Sequence, residues 1–464
     1  MRTVSSTIPP RLDRLAWSRW HRRVVIALGI TWILDGLEAS LVANLGPALE
    51  DPRTLGLDAR MVGLANTVYL VGQVVGALLF GHLTDRLGRK RLFLVTLTLY
   101  LVATAASGFA PHLAVFLVFR FLAGAGIGGE YAAINSAIDE LVPARVRGQV
   151  DLTINGSYWV GVALGGGLTL IVLDPRIVPL EIGWRAAFGL GALLGLGVLL
   201  IRRDVPESPR WLVMHGFFDE ADKTMAHIER AVHGSDVPGP PSPVDVRVTG
   251  AVGFAYVARL LLGRYRGRTL LGITLMLAQA FFYNAIFFSY ALILQHFYGV
   301  APARVGLYVV PFAVGNFLGP LVLGRLFDRW GRRVMICATY AISGLLLLVT
   351  GALFARGLLD ATTQTLAWCV VFFFASAAAS SAYLTVSELF PVEIRGMTIA
   401  LFYAIGTCAG AFAPALFGAL VAAADRASLF LGYALASALM IAAAGIAYKL
   451  AENAENRPLE ELVG

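Results

Sequence analysis

The sequence predicts an all-α membrane protein: twelve transmembrane helices in two six-helix bundles, with the N- and C-termini both cytoplasmic. Three observations carry this prediction. Hydrophobic residues make up 58% of the 464 positions and charged residues 14%, against about 45–50% and 25% in soluble domains. A soluble chain this apolar would need an implausibly large dry core. Second, two different motifs recur at nearly one offset. Gly81-His-Leu-Thr-Asp85-Arg86-Leu-Gly88-Arg89-Lys90 returns as Gly324-Arg-Leu-Phe-Asp328-Arg329-Trp-Gly331-Arg332-Arg333, 243 positions on. Glu140-Leu-Val-Pro143-Ala-Arg-Val-Arg147-Gly148 returns as Glu388-Leu-Phe-Pro391-Val-Glu-Ile-Arg395-Gly396, 248 positions on. Two copies of one unit follow. The third observation is a strong asymmetry in where Lys and Arg fall.

Crossing the hydrocarbon core takes about 20 apolar residues. Runs that qualify span 24–45, 60–83, 92–110, 113–138, 150–173 and 184–201, then 269–295, 303–324, 334–355, 364–387, 397–421 and 427–448. The expected organisation is therefore a tail over 1–23, a bundle over 24–201, a linker over 202–268, a second bundle over 269–448 and a tail over 449–464. The linker holds Pro206-Glu-Ser-Pro-Arg-Trp211, a charged helical stretch from Asp219 to Val232 and the Pro-rich Val237–Val244, too polar to enter a bilayer. With the N-terminus inside, 29 of the 37 Lys and Arg fall on the cytoplasmic side, seven on the other, and Arg120 within a helix; this bias sets the orientation. The net charge of +7 then reflects topology and anionic lipid head groups, not nucleic acid. Cys337, Cys369 and Cys408 all lie in apolar runs and read as small buried hydrophobes, not as a disulfide framework. The N-terminal basic residues precede an apolar run with no small-residue cleavage site after it, so that run stays as a helix.

Each Gly-x3-Asp-Arg-x-Gly-Arg-Lys/Arg motif falls in a short cytoplasmic turn. Gly81 and Gly324 let helix ends approach closely, and Gly88 and Gly331 suit the turn. Asp85 and Asp328 can sit at helix N-termini, where a carboxylate is favoured, while Arg86, Arg89, Arg329 and Arg332 can reach acids across the interface. Glu140, Arg147, Glu388 and Arg395 cluster at the same ends. Together they read as a charged latch. A solvated basic loop that only sets topology is the alternative, and the duplication argues against it.

By these residues the chain resembles the major facilitator superfamily over its whole length. Further matches resemble its sugar-porter and metabolite:proton symporter branches: Arg120-Phe-Leu-Ala-Gly124-Ala-Gly126-Ile-Gly128-Gly129-Glu130-Tyr131, the run Pro206–Leu212, Ser387-Glu388-Leu-Phe-Pro391 with Arg395-Gly396, and Arg457-Pro-Leu-Glu460-Glu461. The resemblance implies alternating access to a small-molecule substrate, in a multi-pass protein of the cell (inner or plasma) membrane acting as a monomer. It implies no cofactor, metal or enzymatic reaction. Gly124-x-Gly126-x-x-Gly129 also satisfies the dinucleotide fingerprint, but it lies in an apolar helix, where small residues permit close packing instead.

Acids inside a membrane are costly and mark a polar interior path. Asp35 and Glu38 share one face of the first helix, at depths of about 16 and 21 Å from its inner edge. Arg120 enters about 10 Å from the opposite edge. Glu38 and Arg120 therefore come out level in a core of about 30 Å. An acid that alternates between an arginine and a proton can couple proton entry to rearrangement; a permanent structural ion pair is the other reading. Proton-driven sugar porters resemble this arrangement, and Glu130 stands where related metabolite carriers have an acid, in the proton path or at a gate.

The resemblance also points to cavity residues. Asn155 takes the place of a sugar-porter glutamine, and Gln279 and Asn284 keep a five-residue Gln/Asn spacing. Phe282-Tyr283 replaces the Ser-Gly between them, and Tyr383 replaces a tryptophan. These departures argue against a hexose. With Trp159, Tyr290 and Phe281, they suggest a flatter, less hydroxylated molecule. Proton-coupled symport of a carboxylate or neutral polar metabolite is the leading expectation. Proton-antiporting export of organic cations and a non-transporting membrane sensor are the alternatives.

Overall fold

The computed structural model describes residues 2–57, 59–87, 89–143, 146–173, 176–202, 207–234, 239, 241–248, 254–300, 302–391, 394–423 and 425–454. The side chains of Asp85, Arg86, Arg89, Glu140 and Arg147, expected in the latch, lie outside the described residues. In chain order the elements are β1 (Arg2–Ser6), α1 (Ile8–Asp13), α2 (Arg19–Glu50), α3 (Ala59–Leu87), α4 (Arg89–Ser107), α5 (Leu113–Leu141), α6 (Arg147–Gly156), α7 (Tyr158–Val172) and α8 (Leu180–Arg202). After them come α9 (Pro209–Met214), α10 (Phe218–His233), β2 (Val244–Val248), α11 (Phe254–Leu262), α12 (Arg266–Tyr298), α13 (Pro302–Arg329), α14 (Arg332–Ala355), α15 (Ala361–Leu389), α16 (Arg395–Ala422) and α17 (Arg426–Leu450).

Every apolar run of the sequence falls on a helix, and the run 150–173 falls on two, α6 and α7, parted at Ser157. Among the described residues, seven helices are long and apolar enough to cross a membrane. Large apolar side chains such as Val95, Val102, Leu345 and Val349 are exposed on outward faces, a placement suited to lipid and not to water.

The duplication is visible in the packing. In the first half α3 packs on α5, α4 on α5, α2 on α7, α2 on α8 and α4 on α8. In the second half the corresponding partners meet: α13 with α15, α14 with α15, α12 with α16, α12 with α17 and α14 with α17. The halves join through α3 against α16 and through α6 and α7 against α13, which are equivalent contacts under exchange of the halves.

Glycines allow α5 to approach α3 closely. A Cβ at Gly124 would lie 2.1 Å from the Tyr69 carbonyl oxygen, and one at Gly128 would lie 2.0 Å from that of Gln73. The glycine run of α5 is thus a surface for close approach to α3, as its apolar setting implied. That approach fixes the face of α3 bearing Tyr69 and Gln73.

The sequence predicts an all-α chain; the structure adds one pair of short strands. β1 pairs antiparallel with β2, Arg2 opposite Val248 and Ser6 opposite Val244. α1 lays Ile8 and Leu12 onto Trp211, Met225 and Ile228. Arg11 makes a bidentate contact with Glu229, Nε–Oε1 3.0 Å and Nη2–Oε2 2.6 Å, and Arg210 reaches Asp13 at 2.8 Å. Burial pushes the Glu229 carboxyl up, but the hydrogen bonds and charges of Arg11 and Arg14 outweigh it and hold the group below its ordinary value. A five-residue strand whose partner lies some 240 positions away leaves too little local pattern to read.

Candidate functional site

Helix α2 is long enough to carry Asp35 and Glu38 into the middle of the first half, three residues apart and both buried. From α5, Arg120 meets Glu38: its Nη1 donates to Glu38 Oε1, and neither side chain has any exposure. The guanidinium lies 4.5 Å from the centroid of the Tyr69 ring and 5.7 Å from that of Phe188. The level placement expected from helix rise is therefore realised as a contact. Two desolvated charges attract strongly in such a setting, and each is costly without the other. Glu130, further along α5, is buried as well. So is Asp151 on α6, which sequence reasoning passed over because it sits at the start of its helix, beside the basic turn.

A cavity of about 200 Å³ opens between the halves. The first half supplies Trp32 from α2; Asn66, Tyr69 and Gln73 from α3; and Asn155, Tyr158 and Trp159 from the α6–α7 junction. The second half supplies Gln279, Tyr283, Asn284 and Phe287 from α12; Ser376, Ser380 and Tyr383 from α15; and Tyr403 and Thr407 from α16. Asn155, Trp159, Gln279, Tyr283, Asn284 and Tyr383 were all legible as cavity residues in the sequence. Tyr290 was too, but it packs elsewhere. Its hydroxyl donates to the Tyr308 carbonyl at 2.9 Å and lies 3.2 Å from Thr365 Oγ1, with its ring against Trp368. It stands two turns beyond Tyr283 on α12, on the same face but past the end of the cavity. Phe281 is likewise absent from the described lining.

Helix α5 lends no described side chain to the lining, whereas α3 and α16 do. The available signal was spacing: Asn66, Tyr69 and Gln73 at i, i+3 and i+7, and Tyr403 and Thr407 at i and i+4, interrupt otherwise apolar faces. Contacts across the cavity join the halves. The Tyr403 hydroxyl donates to Gln73 Oε1 at 3.2 Å, and the Trp159 and Tyr283 rings meet at 5.7 Å. The break beside Asn155 is held by Ser157, whose Oγ lies 2.6 Å from the Ile154 carbonyl oxygen and 3.0 Å from that of Gly29.

One end of α6 carries a second polar cluster. The Asp328 carboxylate, from α13 in the second half, accepts the Gly148 amide at 3.2 Å and the Gln149 amide at 2.8 Å. An acid thus caps a helix N-terminus in the opposite half. Arg332 donates to Asp328 at 2.8 Å and forks onto Glu388 at 2.9 and 3.0 Å. A Cβ at position 148 would stand 2.6 Å from Asp328 Oδ1, so any larger residue would push the ends of Asp328 and Arg332 aside. Of the expected latch residues, Asp328, Arg332 and Glu388 come together. Arg395 is buried nearby in sequence, with Nη2 3.4 Å from the Phe390 carbonyl. Gly81 is buried, and Arg329 is exposed outside the cluster. Among the described residues, no group of His, Cys, Asp or Glu is placed to hold a metal ion.

Comparison with known proteins gives this geometry its context. Residues 47–463 match the sugar (and other) transporter family. The niacin transporter NiaP of Acinetobacter baylyi is 28% identical over 455 residues, 97% of this chain and 98% of that protein. The 4-hydroxybenzoate transporter PcaK of the same organism is 25% identical, covering 85% of this chain and 84% of its own. A solved structure of the proton:xylose symporter XylE bound to 6-bromo-6-deoxy-D-glucose superposes with a TM-score of 0.79 at 19% identity, covering 95% and 98% of the two chains. At that identity it shows a shared major facilitator fold.

Proposed function

From the premise that the chain belongs to the sugar (and other) transporter family, a family of multi-pass membrane transporters and not of enzymes, we propose a proton-coupled symporter of a small organic metabolite. It works by alternating access in the cell (inner or plasma) membrane, as a monomer, with twelve spans and both termini cytoplasmic. The observation that carries the reading is the buried Glu38–Arg120 pair, set one tyrosine ring away from the cavity. Protonation of Glu38 or Asp35 weakens the hold of the acids on Arg120, which must then find other partners. Such a change reorganises α2 against α5 and reaches the cavity through Tyr69. Glu130 offers a further proton site on the inner side of Arg120. At the cytoplasmic end, the Asp328–Arg332–Glu388 cluster on the α6 N-terminus serves as the latch that holds the halves together and parts when the cavity opens inward. The similarity to carriers of niacin and 4-hydroxybenzoate supports a small ring compound over a hexose.

Among the described residues of the first half, the four buried acids Asp35, Glu38, Glu130 and Asp151 against the one buried arginine, Arg120, favour one other reading, export of an organic cation in exchange for protons. Proteoliposomes filled with a pH-sensitive dye separate the two. Symport predicts acidification of the lumen when a transported compound is added outside, antiport predicts alkalinisation, and no proton signal despite uptake contradicts both.

A further inference from the structure

Resting on the reading of the cavity as the substrate site, we infer that it selects an uncharged, flat, single-ring aromatic compound bearing one small amide or acid group. A carboxylic acid is admitted only in its neutral form. Size comes first. A cavity of about 150 Å³ lined by apolar side chains holds one benzene ring; about 200 Å³ leaves room for one ring with a small substituent. Shape comes from the walls. Trp32 meets Tyr383 edge to face at 6.3 Å, and Trp159 meets Tyr283 at 5.7 Å with the rings tilted by 33°, each pair drawn from opposite halves. A flat aromatic ring can meet these rings face-on or edge-on, a contact that a puckered, hydroxyl-rich sugar lacks.

Charge decides the rest. Among the described residues lining the cavity none is charged, and the polar groups include five neutral carboxamides, those of Asn66, Gln73, Asn155, Gln279 and Asn284. The nearest guanidinium, that of Arg120, lies behind the Tyr69 ring and is engaged by Glu38. An incoming carboxylate would shed its water and meet no cation among the described lining residues, and the buried Asp35 and Glu38 of α2 would repel it. A desolvated charge without a partner costs several kcal/mol. A carboxamide, or a protonated acid, instead exchanges two hydrogen bonds with a side-chain amide and carries no charge to desolvate.

The test is binding of benzamide and benzoate to the full-length protein in lipid nanodiscs, read by tryptophan fluorescence between about pH 6 and pH 8. Benzamide should bind at least tenfold more tightly than benzoate near the upper pH, with an affinity independent of pH. Benzoate should gain about tenfold for each unit the pH falls, following its neutral fraction. Cyclohexanecarboxamide, equal in charge but not flat, should bind more weakly than benzamide. Gln279→Lys should reverse the order and favour benzoate. Tighter binding of benzoate near pH 8, an equal gain by both ligands as pH falls, or no binding of either overturns the inference. The two claims fail separately. Benzamide that binds as expected yet raises no proton signal in proteoliposomes would contradict symport alone, while proton-coupled uptake of an anion or a hexose would contradict this selectivity alone.

Discussion

In the first half, Asp35, Glu38, Arg120, Glu130 and Asp151 are all buried within the helices. In the second, the stretches 269–295, 305–324, 334–355, 361–387, 397–424 and 427–448 contain no Asp, Glu, Lys or Arg. Their interior is aromatic instead, with Tyr290, Phe312, Trp368 and Phe372 meeting at ring distances between 4.7 and 5.0 Å. The two halves repeat the same helix pairings but not the same chemistry. Packing is set by small residues and apolar volume, which both copies kept. If one half moves against the other, a proton site needs to exist only once, and the second copy can do without buried charges in these stretches. The Asp328–Arg332–Glu388 cluster touches both halves, with Asp328 accepting from the α6 N-terminus and Arg332 holding Asp328.

The largest effect expected from this asymmetry follows Arg120→Ala. Leaving Glu38 buried beside Asp35 without their cation should cost about 3–5 kcal/mol of stability, seen as a large fall in the thermal unfolding midpoint, and should abolish transport. No comparable loss is expected from an alanine at the equally buried but neutral Gln364. A stable, active Arg120→Ala protein would mean that the charges of the first half are dispensable.

Next comes Asp328→Asn. A neutral side chain loses the charge that suits the α6 N-terminus, worth up to about 2 kcal/mol in a partly buried site, and weakens the contact with Arg332. Uptake should fall roughly tenfold while ligand affinity stays within a factor of about two. The same change at Asp85 asks whether the two copies of the motif act alike. Unaltered uptake in both would leave the motifs as topology signals.

Tyr290→Phe marks the boundary of the cavity. It should cost about 1 kcal/mol of stability for the lost hydrogen bonds and leave ligand affinity unchanged. An affinity loss of tenfold would extend the site along α12 beyond Phe287.

The smallest effect lies outside both bundles. The folded Glu229 carboxyl titrates below its ordinary value of 4.5, so its stabilisation of the docked tail is complete above that value and is lost as pH falls through the lower, folded one. Hydrogen exchange of β1 should accelerate over that acid range, and Arg11→Ala should move the acceleration to higher pH. Protection of β1 that is indifferent to both would assign the docking to the apolar contacts of α1 alone.

How far the sequence could be read depended on the range of the interaction. Apolar runs and the duplicated motifs gave the helices and their repetition, because hydropathy is local and both copies were long. Helix rise alone brought Glu38 level with Arg120. Tyr290 stands outside the described lining, because helical periodicity fixes a face but not where along it a cavity ends. Asn66, Tyr69 and Gln73 went unnoticed because helix α3 reads as one more apolar span until its glycine-mediated approach to α5 is known. The β1–β2 ribbon depends on a pairing across half the chain, which no local pattern signals.

The central claim is that the acids of the first half couple protons to transport, and Asp35→Asn tests it most directly. Reconstituted into proteoliposomes, the wild-type protein should accumulate a labelled substrate when the outside is made acidic and lose that accumulation with a protonophore. The Asp35→Asn protein should exchange internal for external substrate at a comparable rate yet fail to accumulate it, since a fixed neutral side chain mimics one protonation state. Accumulation against the gradient by Asp35→Asn would contradict the assignment and move the proton site to Glu38 or Glu130.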